Sequence, residues 1–304
     1  MIMQELNIRE LKQQARQRMK QAVPHYAWMT LAYLALTTGL SSALDVAMGG
    51  GAVTNLYYAN FMPLFANLLL TLLGVVLAFG YKWWSLRLYR GQDTDWGNLI
   101  DGFSMAGRVV WMEVLILLRI VGWAMLGSIG IAMLMVPLSL LDSVGFVWLS
   151  VLLLVGVIVA FCIWLTYRYA LAPYLLMDHP QQGASRAVVE SVFRMKGFKW
   201  QMFKLDLSFL GWYLLNWIIS MVVLYPFVGQ ALQELLPILG TLTDPQAAIM
   251  AVVNSNMVGN LLSTLATFPL LVWLMPYHSL ATAGFYFQRS QMQDNEAPFS
   301  PWET

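Results

Sequence analysis

Residues 168–212 read RYALAPYLLMDHPQQGASRAVVESVFRMKGFKWQMFKLDLSFLGW, and the order of events inside them decides the fold. The chain leaves an apolar run and turns through Asp178, His179 and Pro180. It then forms a short amphipathic helix and enters a second apolar run at a threshold of Lys196, Lys199, Trp200 and Lys204. Basic and aromatic side chains flank the apolar runs, as they do where helices leave a bilayer, so the stretch reads as a connection between two membrane-crossing helices. Composition extends that reading to the whole chain. With 59% hydrophobic and 11% charged residues, a soluble surface of ordinary charge density cannot be built. A formal net charge of +1 gives bulk electrostatics no reason to favour nucleic acid, and none is expected as a partner. The one cysteine, Cys162, lies inside an apolar run, which excludes a disulfide framework and a thiolate metal cluster.

Working outward, apolar runs long enough for the ~30 Å hydrocarbon core fall at 26–44, 61–81, 109–136, 144–166, 205–226 and 258–276. Six crossings sort the charges. Arg9 to Lys20, then Lys82, Arg87, Arg90 and Arg108, then Arg168, Arg186, Arg194, Lys196, Lys199 and Lys204, then Arg289 all fall on one side, and Arg119 alone of the 17 cations does not. The opposite loops carry only Asp45, Asp142, Glu234 and Asp244. The positive-inside rule then predicts a multi-pass protein of the cell membrane with both termini in the cytoplasm, facing an anionic leaflet. The predicted fold class is all-α: a polytopic bundle of six transmembrane spans with cytoplasmic amphipathic helices and a parallel internal repeat. Residues 1–24 form an amphipathic helix, 25–288 the six-span domain and 289–304 a cytoplasmic tail.

In residues 1–23, Ile8, Leu11, Ala15, Met19 and Ala22 recur at helical spacing, with Glu5, Arg9, Lys12, Arg16 and Lys20 opposite them. Such a helix either lies on the anionic leaflet or packs on the protein's own loops. Pro24 ends it. A cleaved signal peptide is not expected, because the next apolar run is span-length and five more follow. Trp28, Trp83, Trp84, Trp111, Trp200 and Trp273 fall near the basic span ends and read as an interfacial belt. Ala124, Ser128 and Ala132 form a small-residue face suited to close helix packing. The apolar segment 228–258, with turn signals at Gly240, Asp244 and Pro245, is expected to form one or two short helices outside.

Two stretches match at an offset of 89 residues: Trp111 with Trp200, Gly122 and Trp123 with Gly211 and Trp212, and Pro137 with Pro226. Leu118, Leu126 and Ile129 fall on Leu207, Leu215 and Ile218. The repeat units are about 60–137 and 149–226, and because their first spans run the same way they would be parallel repeats, a pattern known among transporters.

Ala172, Pro173 and Tyr174, then Met195, Lys196 and Gly197, then residues 205–209 with Gly211 and Trp212 carry a resemblance to a known family. Leu11, Lys12, Ala15 and Arg16 near the start and Pro276 and Tyr277 near the end extend it. The chain resembles a bacterial family of multi-span membrane proteins catalogued as domain of unknown function nine-seven-five. That resemblance implies a place in a membrane and no particular activity.

No phosphate loop, zinc-protease helix, nucleophile elbow or dinucleotide fingerprint occurs, so neither catalytic, cofactor-binding nor metal-ligating residues are expected and the protein is read as a non-enzyme. His25, His179 and His278 are read as interface histidines beside turns. The informative groups are ionisable residues inside spans, where a charge costs roughly 2.5–3.5 kcal/mol at a helix centre. They are Glu113, Arg119 and Asp206, with Arg168 at a span end. If the core begins near Val109, Arg119 stands close to mid-membrane; if it begins near Val114, snorkelling reaches the surface. Arg119 and Asp206 lie at similar depth in equivalent spans of the repeat, and an ion pair between them is expected, with Arg168 the next candidate for Asp206. Two functions are compatible with these features. The favoured one is a non-catalytic scaffold or accessory subunit contacting lipid and a membrane-protein partner. The alternative is a small-molecule or lipid transporter using the intramembrane charges.

Overall fold

In hydrocarbon a backbone N–H or C=O finds no water, so a chain that crosses must satisfy those groups within itself, and the α-helix does so along a single segment. The computed structural model describes residues 7–41, 43, 61–138, 144–235 and 245–295, and no strand occurs among them. In chain order the helices are α1 (Ile8–Lys20), α2 (Tyr26–Leu34), α3 (Phe61–Arg90), α4 (Gly97–Asp101), α5 (Ala106–Leu138), α6 (Val144–Tyr169), α7 (Ala172–Asp178), α8 (Gly183–Arg194), α9 (Lys199–Leu235) and α10 (Pro245–Asn295). Among the described residues, 5 helical segments are long and apolar enough to cross a membrane: Phe65–Arg90, Gly97–Gly127, Leu154–Asp178, Lys199–Phe227 and Leu261–Met292. They contain or overlap five of the six expected spans. The other, 26–44, is helical through α2 and a π-helical turn at Ala35–Gly39, and then runs into residues outside those described. Thr37, Thr38 and Ser41 donate to the carbonyls of Tyr33, Leu34 and Thr37 four residues back, competing with the regular ladder where the helix widens.

The chain divides into two compact units, residues 1–203 with 279–304, and residues 204–278. In the first, α1 is capped by Asn7, whose side chain accepts from Arg9 N. Its apolar stripe, Leu11, Ala15 and Met19, is buried within the protein, against which α1 packs through α3. Of the two sequence readings, packing on the protein itself describes this stripe. Lys12 on its flank is partly desolvated, which with the neighbouring Arg16 draws its ammonium below the ordinary lysine range.

Short helices fill the space at the basic ends of the spans. Gly80 of α3 lies so close to α4 that a Cβ there would come within 2.2 Å of the Leu99 carbonyl oxygen. Gly102 in the following 3-10 turn stands in the same relation to Val76 O at 2.7 Å. Helix α7 is buried over Ala172, Pro173, Tyr174, Leu175, Leu176 and Met177, which accounts for the apolar density of the motif that carries the family resemblance. Helix α8 ends at the second part of that motif. Met195 N reaches Ser191 O, Lys196 N reaches Phe193 O, and Gly197 takes φ 79°, a left-handed conformation open to glycine and strained for other residues.

The second unit is a helical hairpin of the inner parts of α9 and α10. Contacts of Asp206 with His278, Phe209 with Tyr277, Trp212 with Trp273 and Ser220 with Ser263 mark an antiparallel register kept over the whole unit. Gly259 makes room for the Phe227 ring at its far end. Large apolar side chains face outward all along the hairpin, Val222 and Tyr225 among them. A surface of this kind is stable in lipid and not in water.

Three details differ from the sequence reading. Trp84 is fully buried, its ring tilted against that of Tyr81 at 5.4 Å, whereas Trp28, Trp111 and Trp200 are exposed as a belt requires. Most of the segment 228–258 continues the two hairpin helices, to Leu235 and from Pro245, rather than starting separate short ones. Pro226, the last residue of the expected span 205–226, sits inside α9, which continues to Leu235, since in an apolar setting continuing the helix leaves the fewest backbone groups unsatisfied. Of the small-residue face, the side chains of Ser128 and Ala132 lie outside the described residues.

Candidate functional site

Hydrogen bonds from two other helices converge on the Asp178 carboxylate at the end of α7. Arg90, in the last turn of α3, grips it with both arms, Nη1 to Oδ1 at 2.7 Å and Nη2 to Oδ2 at 2.7 Å. Tyr286 of α10 donates its hydroxyl to Oδ2 at 2.6 Å, and its ring stacks on Tyr174. Three helices far apart in sequence thus meet at one carboxylate. A bidentate guanidinium and a phenol hold it in its charged form with fixed geometry. One turn further along α10, Arg289 donates Nε to Arg194 O at 3.1 Å and covers the Phe198 ring, while Arg194 pairs with Glu190.

Beside this cluster opens a cleft of about 590 Å³ lined by Gln14, Gln17, Gln21, Gln288 and Gln291, with Arg18 and Arg90 at its wall. The glutamines project from α1 and α10 at helical spacing, and Gln14 accepts from the Tyr89 hydroxyl. The glutamine amides can each donate and accept hydrogen bonds, and Tyr89 and Phe287 add aromatic surface to the same wall.

The residues singled out from sequence are distributed as follows. Glu113 on α5 lies close enough to Lys82 of α3 for their charges to interact. Arg119 stands on α5 beside a recess shared with Trp123, Arg168 and Tyr169. Val109 and Met112, in the first turns of α5, are buried in protein, whereas Leu117 and Leu118, just before Arg119, are exposed at 59% and 60%. Arg168 near the end of α6 lies over Trp164 and Trp123, and its backbone carbonyl accepts from Ser191. Asp206 belongs to the second unit, where its Oδ1 is 2.8 Å from His278 Nε2. His278 is therefore more than an interface residue beside a turn.

Sequence reasoning passed over Asp178 and Arg90 as members of a turn and a charge count, and over Tyr286 altogether. The available signal was an acid and a basic span end on the same predicted side, without the pairing. It also missed a polar stripe inside the hairpin: Asn216, Ser220, Ser263 and Thr267, of which Ser220 and Ser263 are joined at 2.7 Å. The four-residue spacing of Asn216 to Ser220 and Ser263 to Thr267, which puts each pair on one helix face, was the signal.

A family model described as "Protein of unknown function (DUF975)" matches residues 3–293, and the chain belongs to that family. No curated protein and no solved structure matches it.

Proposed function

We propose that this member of the family is a non-catalytic membrane scaffold or accessory subunit, holding lipid and a membrane-protein partner by packing. The observation that carries the reading is the closure of Asp178: both carboxylate oxygens are occupied by Arg90 and Tyr286, leaving the acid with a structural task. The extensive outward-facing apolar surface of the spans supports it further, since such surface is what partner helices and acyl chains contact.

The same proposal includes the six-span topology, with the basic connections and both termini in the cytoplasm of a bacterial cell. It also includes the parallel repeat. Each unit runs long helix, short helices, long helix. Gly102 packs on α3 at Val76 and Gly80, and Ser191, its equivalent at the offset of 89, bonds to Arg168 O of α6 beside the equivalents Leu165 and Tyr169. Small residues at matching positions thus meet matching parts of the preceding span.

The alternative, a small-molecule or lipid transporter, is favoured by the hairpin. It places a titratable pair, Asp206 with His278, in a span, and it leaves Asn216 Oδ1 buried without a hydrogen-bond partner among the described residues. Cysteines placed at Asn216 and at Ser263 in a Cys162→Ala chain separate the two. A membrane-impermeant thiosulfonate should leave both unmodified in the reconstituted scaffold. Rapid modification of both sites would reveal a water-filled path and reject the dry bundle.

A further inference from the structure

Helices α5 and α6 run antiparallel in a register that can be read from two contacts. The Trp123 and Trp164 rings meet edge to face at 6.3 Å, and a Cβ on Gly127 would touch Phe161. One helical turn from the tryptophans, that register brings Arg119 level with Arg168, and both line the same recess of about 340 Å³ with Gly122, Trp123, Leu126 and Tyr169. Lys199 adds a third cation nearby, its Nζ 4.0 Å from the centre of the Trp164 ring that Arg168 also covers.

Within the first unit, neither guanidinium is ion-paired to a carboxylate among the described residues. Arg168 Nε is buried and has no hydrogen-bond partner among them. Two like charges at one level beside apolar surface repel each other and lack hydration, and an anion between them removes both penalties. The surroundings say which anion. Helix α6 ends at Tyr169, one residue beyond Arg168, so the recess lies where the apolar helix pair gives out. Leu117, Leu118 and Leu126 next to it are exposed apolar side chains that acyl chains can cover. Trp123 and Trp164 supply rings of the kind found at headgroup depth.

We propose that the recess between Arg119 and Arg168 binds the phosphodiester of an anionic glycerophospholipid, the guanidinium forks taking its two unesterified oxygens and Lys199 strengthening the field. The proposal is independent of whether the protein is a scaffold or a transporter. A lipid bound here would tie α5 to α6 beside the exposed leucines of α5.

Native mass spectrometry of the detergent-purified full chain, titrated with palmitoyl-oleoyl phosphatidylglycerol, tests it. One phosphatidylglycerol should be retained per chain, at least about tenfold more tightly than phosphatidylcholine, whose choline opposes the cations. Arg119→Gln and Arg168→Gln should each weaken retention about tenfold, while Arg108→Gln, exposed on the same helix outside the recess, should leave it unchanged. Gly122→Leu guards against a folding defect: a Cβ there meets nothing within 4 Å, so leucine fills the recess and spares both cations, yet it should abolish retention. Wild-type affinity in Arg119→Gln and Gly122→Leu, or equal binding of phosphatidylcholine, would overturn the site. Binding of inorganic phosphate alone at the same affinity would assign the recess to a soluble anion and overturn the lipid.

Discussion

Replacing Asp178 with asparagine keeps the shape of the side chain and removes its charge, which isolates what the carboxylate contributes. The Arg90 and Asp178 side chains are 24% and 19% exposed, so the pair is largely desolvated. Breaking a fully buried pair costs ~3–5 kcal/mol, and the residual exposure moves this one to the low end, about 3 kcal/mol. The bonding agrees: an amide nitrogen cannot accept from the guanidinium, so one 2.7 Å arm is lost outright and the remaining bonds lose their charge assistance. The folding equilibrium should fall roughly 100-fold. Tyr286→Phe removes a single bond to the same carboxylate and should cost about 1.5 kcal/mol. Arg90→Leu combined with Asp178→Leu should cost less than the sum of the two single replacements by about 2 kcal/mol, since neither charge is then stranded. Titration of the purified chain with dodecyl sulfate in mixed micelles, followed by tryptophan fluorescence, gives each value. Asp178→Asn within about 0.5 kcal/mol of the parent, or a double variant at the full sum of the singles, would refute the cluster as a structural clasp.

Gly80→Ala should destabilise by about 1–3 kcal/mol, because its Cβ meets the Leu99 backbone and neither helix can yield by turning a side chain. Gly107→Ala, with nothing within 4 Å, should be neutral or stabilising by about 0.5–1 kcal/mol in the same titration. For the ion pair expected between Arg119 and Asp206, Arg119→Leu and Asp206→Leu should each lower folded yield in membranes and the double replacement should restore it. The lipid site predicts instead that the two losses add.

Among the described residues, five of the six expected spans coincide with helices long and apolar enough to cross a membrane, and they were legible because hydrophobic length is a one-dimensional property. The polar stripe of the hairpin was not read, although Asn216 with Ser220 and Ser263 with Thr267 lie four apart, as one helix face requires. What a single sequence did not show is which ends meet. Arg90 is 88 residues from Asp178, and Tyr286 is 108, and nothing in the periodicity of α3, α7 or α10 links them. The same holds for His278, 72 residues from Asp206. Trp84 illustrates a second limit. A tryptophan near a span end suits either a headgroup layer or a protein layer, and only the tertiary packing around it decides for burial.

The account as a whole turns on an even number of crossings, with the basic connections and both termini on one side. In a chain carrying Cys162→Ala, single cysteines at Asn7, just before α1, at Gly240 between α9 and α10, and at Met292 near the end of α10 can be probed with a membrane-impermeant maleimide. In intact cells Gly240 should label at once, and Asn7 and Met292 only after permeabilisation. Labelling of Asn7 and Met292 from opposite faces would mean an odd number of crossings and would contradict the account.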